Sequence, residues 1–347
     1  MSFTRSANDA GPHQDHDKDK DKDKEMRIPS ETLQDLLTWP ELIEAIRLQF
    51  KNGCEVPERH HHTIKTPGQS DATMLLMPAW QPGNRIGIKL VNVFPDNTQK
   101  GLPSISADYL LYDGQTGQSL ATMDGSVLTS RRTAAASALG ARFLSREDSE
   151  TIFLVGAGRV ATLVPEAMRS VRSIKTVLIW DLNREGAERA AKYLRGLGFD
   201  ANVELDLRKG TEHADIISCA TLAKEPLIKG DWLKPGQHLD LIGSFTPNMR
   251  ETDDDAMRIA DVFVDTDTAL TESGDLVRPL NSGAISSGDI LANLTDLCTG
   301  RAKGRSGDQA ITLFKAVGTA LEDLAGASLA FDKMTHGDRP NGQTSTQ

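Results

Sequence analysis

The chain has 347 residues, 38% of them apolar, with 39 Lys and Arg against 49 Asp and Glu for a net charge of −10. That acidic balance excludes sequence-independent binding to nucleic acid, which needs a basic surface, but it leaves room for a local basic pocket that takes a small anion. No apolar run approaches the ~18 residues of a membrane span and the N-terminus has no signal-peptide core, so a membrane partner is not expected.

Residues 1–25 carry the tract DHDKDKDKDKE, whose alternating charges cannot bury a core. A disordered tail is expected there, with Met26 as a candidate start. Ser30 is expected to cap a helix over SETLQDLL, and Pro40 to open a second over PELIEAIRLQF. From about Val56 to Leu128 the pattern is β-like. Strands are predicted at Thr73–Met77, Arg85–Phe94, Ala107–Tyr112 and Ser119–Met123, punctuated by Pro95-Asp-Asn97 and Asp113-Gly114. An alanine-rich helix, RRTAAASALGARFL, then leads onward.

TIFLVGAGRVA, Thr151 to Ala161, is a strand running into a phosphate-binding turn. Gly156 permits the tight turn, Gly158 lets backbone approach a pyrophosphate, and Ala161 lets the next helix pack close. The free N–H groups at the start of that helix, at Arg159 and Val160, face the phosphates. A second strand, Thr176–Trp180, ends in Asp181, where an acid meets a ribose hydroxyl. Asp181 accepts from the 2′-OH of NADH and repels the 2′-phosphate of NADPH. Arg184 is near enough to reach such a phosphate, so both cofactors stay open with a lean to NADH.

Further α/β alternation follows: a helix Arg184–Leu197, then strands at Ala214–Thr221, His238–Gly243 and Asp261–Asp265. It predicts a doubly wound parallel sheet with ligands at the strands' carboxyl ends, near Thr221 and Gly243 to Pro247. After Ile290 the pattern turns helical, with TLFKAVGTALEDLAGASLAF as one long segment and a polar end from about Thr335. The fold class is α/β: a Rossmann-type domain, residues 129–310, inserted into an α+β domain made of residues 26–128 and 311–334, with a loose tail at 335–347.

Several side chains invite other chemistry. His60, His61 and His62 alternate faces on a strand and cannot all reach one ion, so no metal is expected. Cys54, Cys219 and Cys298 form no CxxC pair and read as reduced thiols of a cytoplasmic protein, Cys219 serving packing. Asp253-Asp-Asp255 reads as a helix start. Arg131 is expected to face solvent, while Asp323 stays open between a place at the site and a helix-surface or capping role.

The segments LLMPAW, GIKLVNVFPDN, YLLYDGQTGQSLATMDG, LTSRRTAAASALGA, VGAGRVA and LFKAVGTALEDLA occur in that order. Their series resembles the ornithine cyclodeaminase/mu-crystallin family over about residues 28–331. HLDLIGSFTPNMRE and RHHHTI resemble its ketimine reductases, which act on Δ1-pyrroline-2-carboxylate and Δ1-piperideine-2-carboxylate. The resemblance implies a homodimer built through the β-rich part, a small cyclic imino-acid substrate and an NAD(P)H cofactor. It places Arg59 and Arg132 on the substrate carboxylate, Lys89 beside them as a substrate-binding and catalytic residue, Thr221 against the cofactor, and Gly318 against the nicotinamide. The group that protonates the imine stays open between Lys89 and a bound water.

Cyclodeaminases of this family carry a water-activating aspartate where this chain has Phe245. An aromatic ring cannot take a proton from water, which favours reduction to L-proline and L-pipecolate over ornithine cyclodeamination. An alanine-dehydrogenase-like activity and a crystallin-like nucleotide-binding role without turnover are the remaining alternatives.

Overall fold

The computed structural model describes residues 25–337; the charged tract, Glu25 apart, and the polar end beyond Gly337 lie outside the described residues. Two sheets organise the chain. The first has six strands: β1 (Met26–Ile28), β2 (His60–Ile64), β3 (Ala72–Gln81), β4 (Arg85–Val93), β5 (Ile105–Asp113) and β6 (Ser119–Asp124), in the order β1-β6-β5-β4-β3-β2. Only β1 pairs in parallel, with β6. The rest form an antiparallel meander whose long β3–β4–β5 core sets Lys89 opposite Met77 and Tyr109. The predicted strands are all present, with β3 running four residues past Met77.

The second sheet is entirely parallel: β7 (Thr151–Val155), β8 (Thr176–Trp180), β9 (Asp200–Val203), β10 (Ile216–Cys219), β11 (His238–Leu241), β12 (Asp261–Val264), β13 (Ile290–Asn293) and β14 (Thr312–Lys315), ordered β13-β12-β14-β11-β10-β7-β8-β9. Ile152, Phe153, Leu154 and Val155 are all buried, as a strand covered on both faces requires. Because β8 and β9 lie on one side of β7 and β10 on the other, the winding reverses between β7 and β10, where ligands bind in such sheets.

The helix Gly125–Leu144 joins the two sheets. Asp124 caps it, accepting from the amides of Ser126 and Val127. Its alanines are buried on all sides rather than along one stripe, because elements of both halves pack against it. Small side chains make that close approach possible: a Cβ on Gly140 would lie 2.7 Å from the Phe314 ring.

The structure corrects several expectations. TLFKAVGTALEDLAGASLAF is not one helix. Thr312–Lys315 is the central strand β14, and only Ala320–His336 is helical, capped by Thr319. A strand buried on both faces shows no alternation, so its apolar residues merged with the helical pattern that follows. The chain therefore leaves the second sheet after Lys315 rather than at residue 311. Likewise, β13 precedes a short helix Leu294–Thr299 where helix alone was expected. Pro29, not Ser30, occupies the cap position of the first helix, and the Ser30 hydroxyl donates to Asp124 instead. Arg131 does not face solvent freely: it stacks 4.1 Å over the Trp39 ring and donates to the Leu37 carbonyl.

Candidate active site

The carboxyl ends of β7, β10 and β11 open on a cavity of about 740 Å³ that the first sheet closes from the other side. Gly156 has φ of +111°, and a Cβ there would meet the Ala220 carbonyl at 2.7 Å, so only glycine lets the ends of β7 and β10 close up. Gly158 is different. It lines the cavity, and a Cβ on it would meet nothing within 4 Å. The position needs no glycine for the fold; it leaves space for a ligand. Arg159 and Val160 also line the cavity and open the helix Arg159–Arg169, whose first amides lack intrahelical partners. Ala161 is buried behind them.

Asp181 follows β8. One carboxylate oxygen accepts from the Ala157 amide at 2.7 Å and the other from the Asn183 amide at 2.7 Å. The acid thus fixes the glycine turn and stands beside it. Leu182 is 89% exposed next to it, an apolar surface with no cover among the described residues. Arg184 points along its own helix, 3.8 Å from Glu188. Backbone amides, open space at Gly158 and an acid beside the turn fit a dinucleotide: Gly156 to Ala161 would hold its pyrophosphate and Asp181 its ribose.

On the far lip, Thr221 lines the cavity, yet its amide and hydroxyl both donate to Glu251, at 2.8 and 2.9 Å. The second Glu251 oxygen accepts from the Gly243 amide at 2.7 Å. Glu251 therefore ties the ends of β10 and β11 together. Burial raises its pKa to about 7, with Lys315 nearby working in the opposite direction.

The expected cations come together. Arg59, Lys89 and Arg132 all line the cavity, together with Gly318 and Glu322. Lys89 is only 2% exposed and pairs with Asp323 at 2.6 Å, so it does not snorkel to water. Burial lowers its pKa to about 8, with Asp323 opposing and the Arg132 charge adding to the drop. Arg132 is 5% exposed; its Nε donates to Asp323 at 2.9 Å and its Nη1 to Glu322 at 2.6 Å. Among the described residues, Nη2 has no hydrogen-bond partner. Arg59, less buried, donates to the Gly318 carbonyl at 3.0 Å and pairs with Glu272 at 3.3 Å.

Gly318 earns its residue type from crowding: φ is +78°, and a Cβ would lie 2.3 Å from the Arg132 guanidinium. Buried Asp265, at the end of β12, accepts from the amides of Val317 and Gly318 at 2.8 and 2.6 Å and holds this loop in place. Of the two readings open for Asp323, the structure rejects the surface or capping one. The side chain is fully buried between two cations, and although burial favours its neutral form, Lys89 and Arg132 hold its pKa below the usual range.

Sequence reasoning did not find Glu322, Asp265, Glu251 or Glu272. Glu-Asp inside the apolar run of the last helix was the available signal, since buried acids occur where cations pair with them. His60, His61 and His62 sit exposed on the edge strand β2. No three His, Cys, Asp or Glu side chains cluster to hold a metal among the described residues, and no helix there is long and apolar enough to cross a membrane. Cys219 is buried, and burial raises its thiol pKa, consistent with packing. Asp253 caps a short helix, as expected. Phe245 lies on the cavity wall, half-exposed.

Comparison with known proteins agrees with this architecture. The Δ1-pyrroline-2-carboxylate reductase of Paracoccus denitrificans is 37% identical over 294 residues, 84% of this chain and 92% of its own. The ketimine reductase mu-crystallin of Rattus norvegicus is 36% identical over 264 residues, covering 76% of this chain and 80% of its own. The structure of Thermococcus litoralis Δ1-pyrroline-2-carboxylate reductase in complex with NADH and L-proline superposes with a TM-score of 0.83 at 34% identity, covering 90% of this chain and 98% of that one. Residues 22–338 match the family's sequence pattern throughout. With a parallel dinucleotide-type sheet, a cation-lined cavity at its switch point and that match, the chain belongs to the ornithine cyclodeaminase/mu-crystallin family.

Proposed function

We propose that this protein is an NAD(P)H-dependent ketimine reductase that converts Δ1-pyrroline-2-carboxylate to L-proline and Δ1-piperideine-2-carboxylate to L-pipecolate. The observation that carries the proposal is the meeting of Arg59, Lys89 and Arg132 in one cavity with the glycine turn at its other wall. Relatives named as Δ1-pyrroline-2-carboxylate reductases and ketimine reductases support the substrate class.

The roles follow from charge and position. Arg59 and the unpartnered Nη2 of Arg132 bind the substrate carboxylate, each charge-assisted bond contributing about 1.5–3 kcal/mol. Lys89 adds a third positive charge that Asp323 keeps in place. Together they orient the ring so that C2 faces the dinucleotide side of the cavity, which is most of what such a reaction needs from a protein. The reduced dinucleotide, when bound, supplies the hydride. Phe245 on the wall offers no base to activate water, which disfavours hydrolytic deamination of ornithine. Asp181 favours NADH, since among the described residues its carboxylate pairs with no basic side chain that would neutralise a 2′-phosphate, and Arg184 is turned toward Glu188. The first sheet with the last helix forms the substrate and dimerisation domain, and the protein works as a homodimer.

Purified protein supplied with either ring imine should oxidise NADH, with kcat/KM for NADH above that for NADPH. Turnover of pyruvate with ammonia but of neither imine would move the assignment to an amino-acid dehydrogenase. Ammonia release from ornithine without net cofactor oxidation would move it to a cyclodeaminase.

A further inference from the structure

Reduction of a ring imine needs a proton at nitrogen as well as a hydride at carbon, and the two acids beside Arg132 are not equivalent sources. Asp323 has a cation on each oxygen, Arg132 on Oδ1 and Lys89 on Oδ2. Glu322, in the first turn of the last helix, lines the cavity and spends only Oε2, on Arg132. Its Oε1 is buried and has no hydrogen-bond partner among the described residues. A buried carboxylate oxygen without a donor is costly, and adding a proton to it removes the charge and creates an O–H in need of an acceptor.

We propose that Glu322 is the acid that protonates the imine nitrogen, and that it takes up its proton as the substrate binds. This rests on the ketimine reductase assignment. The groups facing Glu322 are Arg132 from the long alanine-rich helix, Asp323 from its own helix and Asp265 from the end of β12, with Lys89 of β4 one ion pair further away. Burial is the dominant influence; Arg132 opposes it, while Asp265 and Asp323 reinforce it, and the carboxyl is pushed up to about 7. A substrate carboxylate arriving at Arg132 draws on the same guanidinium and adds a negative charge beside Glu322. Both effects favour the protonated acid.

The step balances. The Glu322 O–H bond breaks as an N–H bond forms, giving the ring iminium. The electron pair of its C=N bond then settles on nitrogen as C2 takes the hydride, leaving the neutral secondary amine. Glu322 is left as carboxylate and regains its proton from water in the next cycle.

The test compares wild type with Glu322→Gln, which keeps an oxygen for Arg132 but carries no transferable proton, and with Glu322→Asp. Pyrrole-2-carboxylate, a planar ring acid that cannot be reduced, is titrated into the NADH complex at pH 7, where Lys89, with its pKa at about 8, is already mostly charged, in buffers of different ionisation enthalpy. Wild type should take up roughly 0.4 proton per site, and Glu322→Gln no more than about 0.1, the share left to Lys89. In turnover, Glu322→Gln should lose about 100-fold in kcat and the alkaline fall of the wild-type kcat profile, with NADH affinity unchanged and partial recovery in Glu322→Asp. Undiminished proton uptake in Glu322→Gln, or a kcat within about threefold of wild type, overturns the proposal. If Glu322→Gln does not fold, Glu322→Asp decides: a lowered kcat with the alkaline fall of the profile moved to another pH supports the proposal, and a kcat and profile equal to wild type overturn it. A wild type that reduces no ring imine sinks the reductase assignment, a result the proton-uptake experiment does not depend on.

Discussion

The two walls of the cavity accommodate negative charge by opposite means. The dinucleotide wall works by omission: at Gly158 there is no side chain, the helix that follows has free amides, and among the described residues no buried cation lines the cavity on that side. The substrate wall works by excess: Lys89 and Arg132 are buried cations already matched by the buried acids Asp323 and Glu322. The first wall costs the fold little to maintain. The second can be kept only as a complete set, because each member compensates another in a medium of low polarity.

That contrast predicts where substitutions hurt. The largest effect should come from Asp323→Ala, which strands Lys89 and the Nε of Arg132 and should cost about 3–5 kcal/mol of stability in urea unfolding. A loss below about 1 kcal/mol would mean that water or a rearranged Glu322 replaces it and that the set is not interdependent. Arg59→Ala should act on binding instead, since Arg59 is the most exposed of the three cations. The KM for the ring imine should rise by about one to two orders of magnitude, on the order of 1.5–3 kcal/mol, with cofactor affinity unchanged. Equal loss of both would assign Arg59 to the framework, through its bonds to Gly318 and Glu272. The smallest effect sharpens the other wall. Gly158→Ser should leave the apo protein as stable as before, serine being a good helix cap, while weakening NADH about tenfold, or ~1.4 kcal/mol. Gly156→Ala, with its positive φ and the Ala220 carbonyl at 2.7 Å, should instead destabilise the apo protein by about 1–3 kcal/mol. Identical behaviour of the two glycine variants would erase the distinction between a packing glycine and a ligand glycine.

The same contrast explains what could be read in advance. The dinucleotide wall is local in sequence: strand, turn, helix, strand and Asp181 lie within 31 residues, Thr151 to Asp181, so spacing alone exposes it. The substrate wall joins Arg59, Lys89, Arg132 and Glu322 from four distant segments, and only the family resemblance drew the first three together. Their counter-charges stayed hidden because an acid on a buried helix face looks, in sequence, like one on a wet face. Spacing alone leaves Asp323 open between the two for that reason. Strand β14 was lost because Thr312 to Lys315 is buried on both faces and continues into a helix with equally apolar residues.

The alanine-rich helix Gly125–Leu144 and the loop Ala316–Thr319 are the two crossings between the halves, and they differ in stiffness. One is a 20-residue rod wedged among neighbours; the other is a short ribbon stapled at two amides by Asp265. A change in the angle between the halves about that rod would carry Arg132, one of the cavity's cations, along with it.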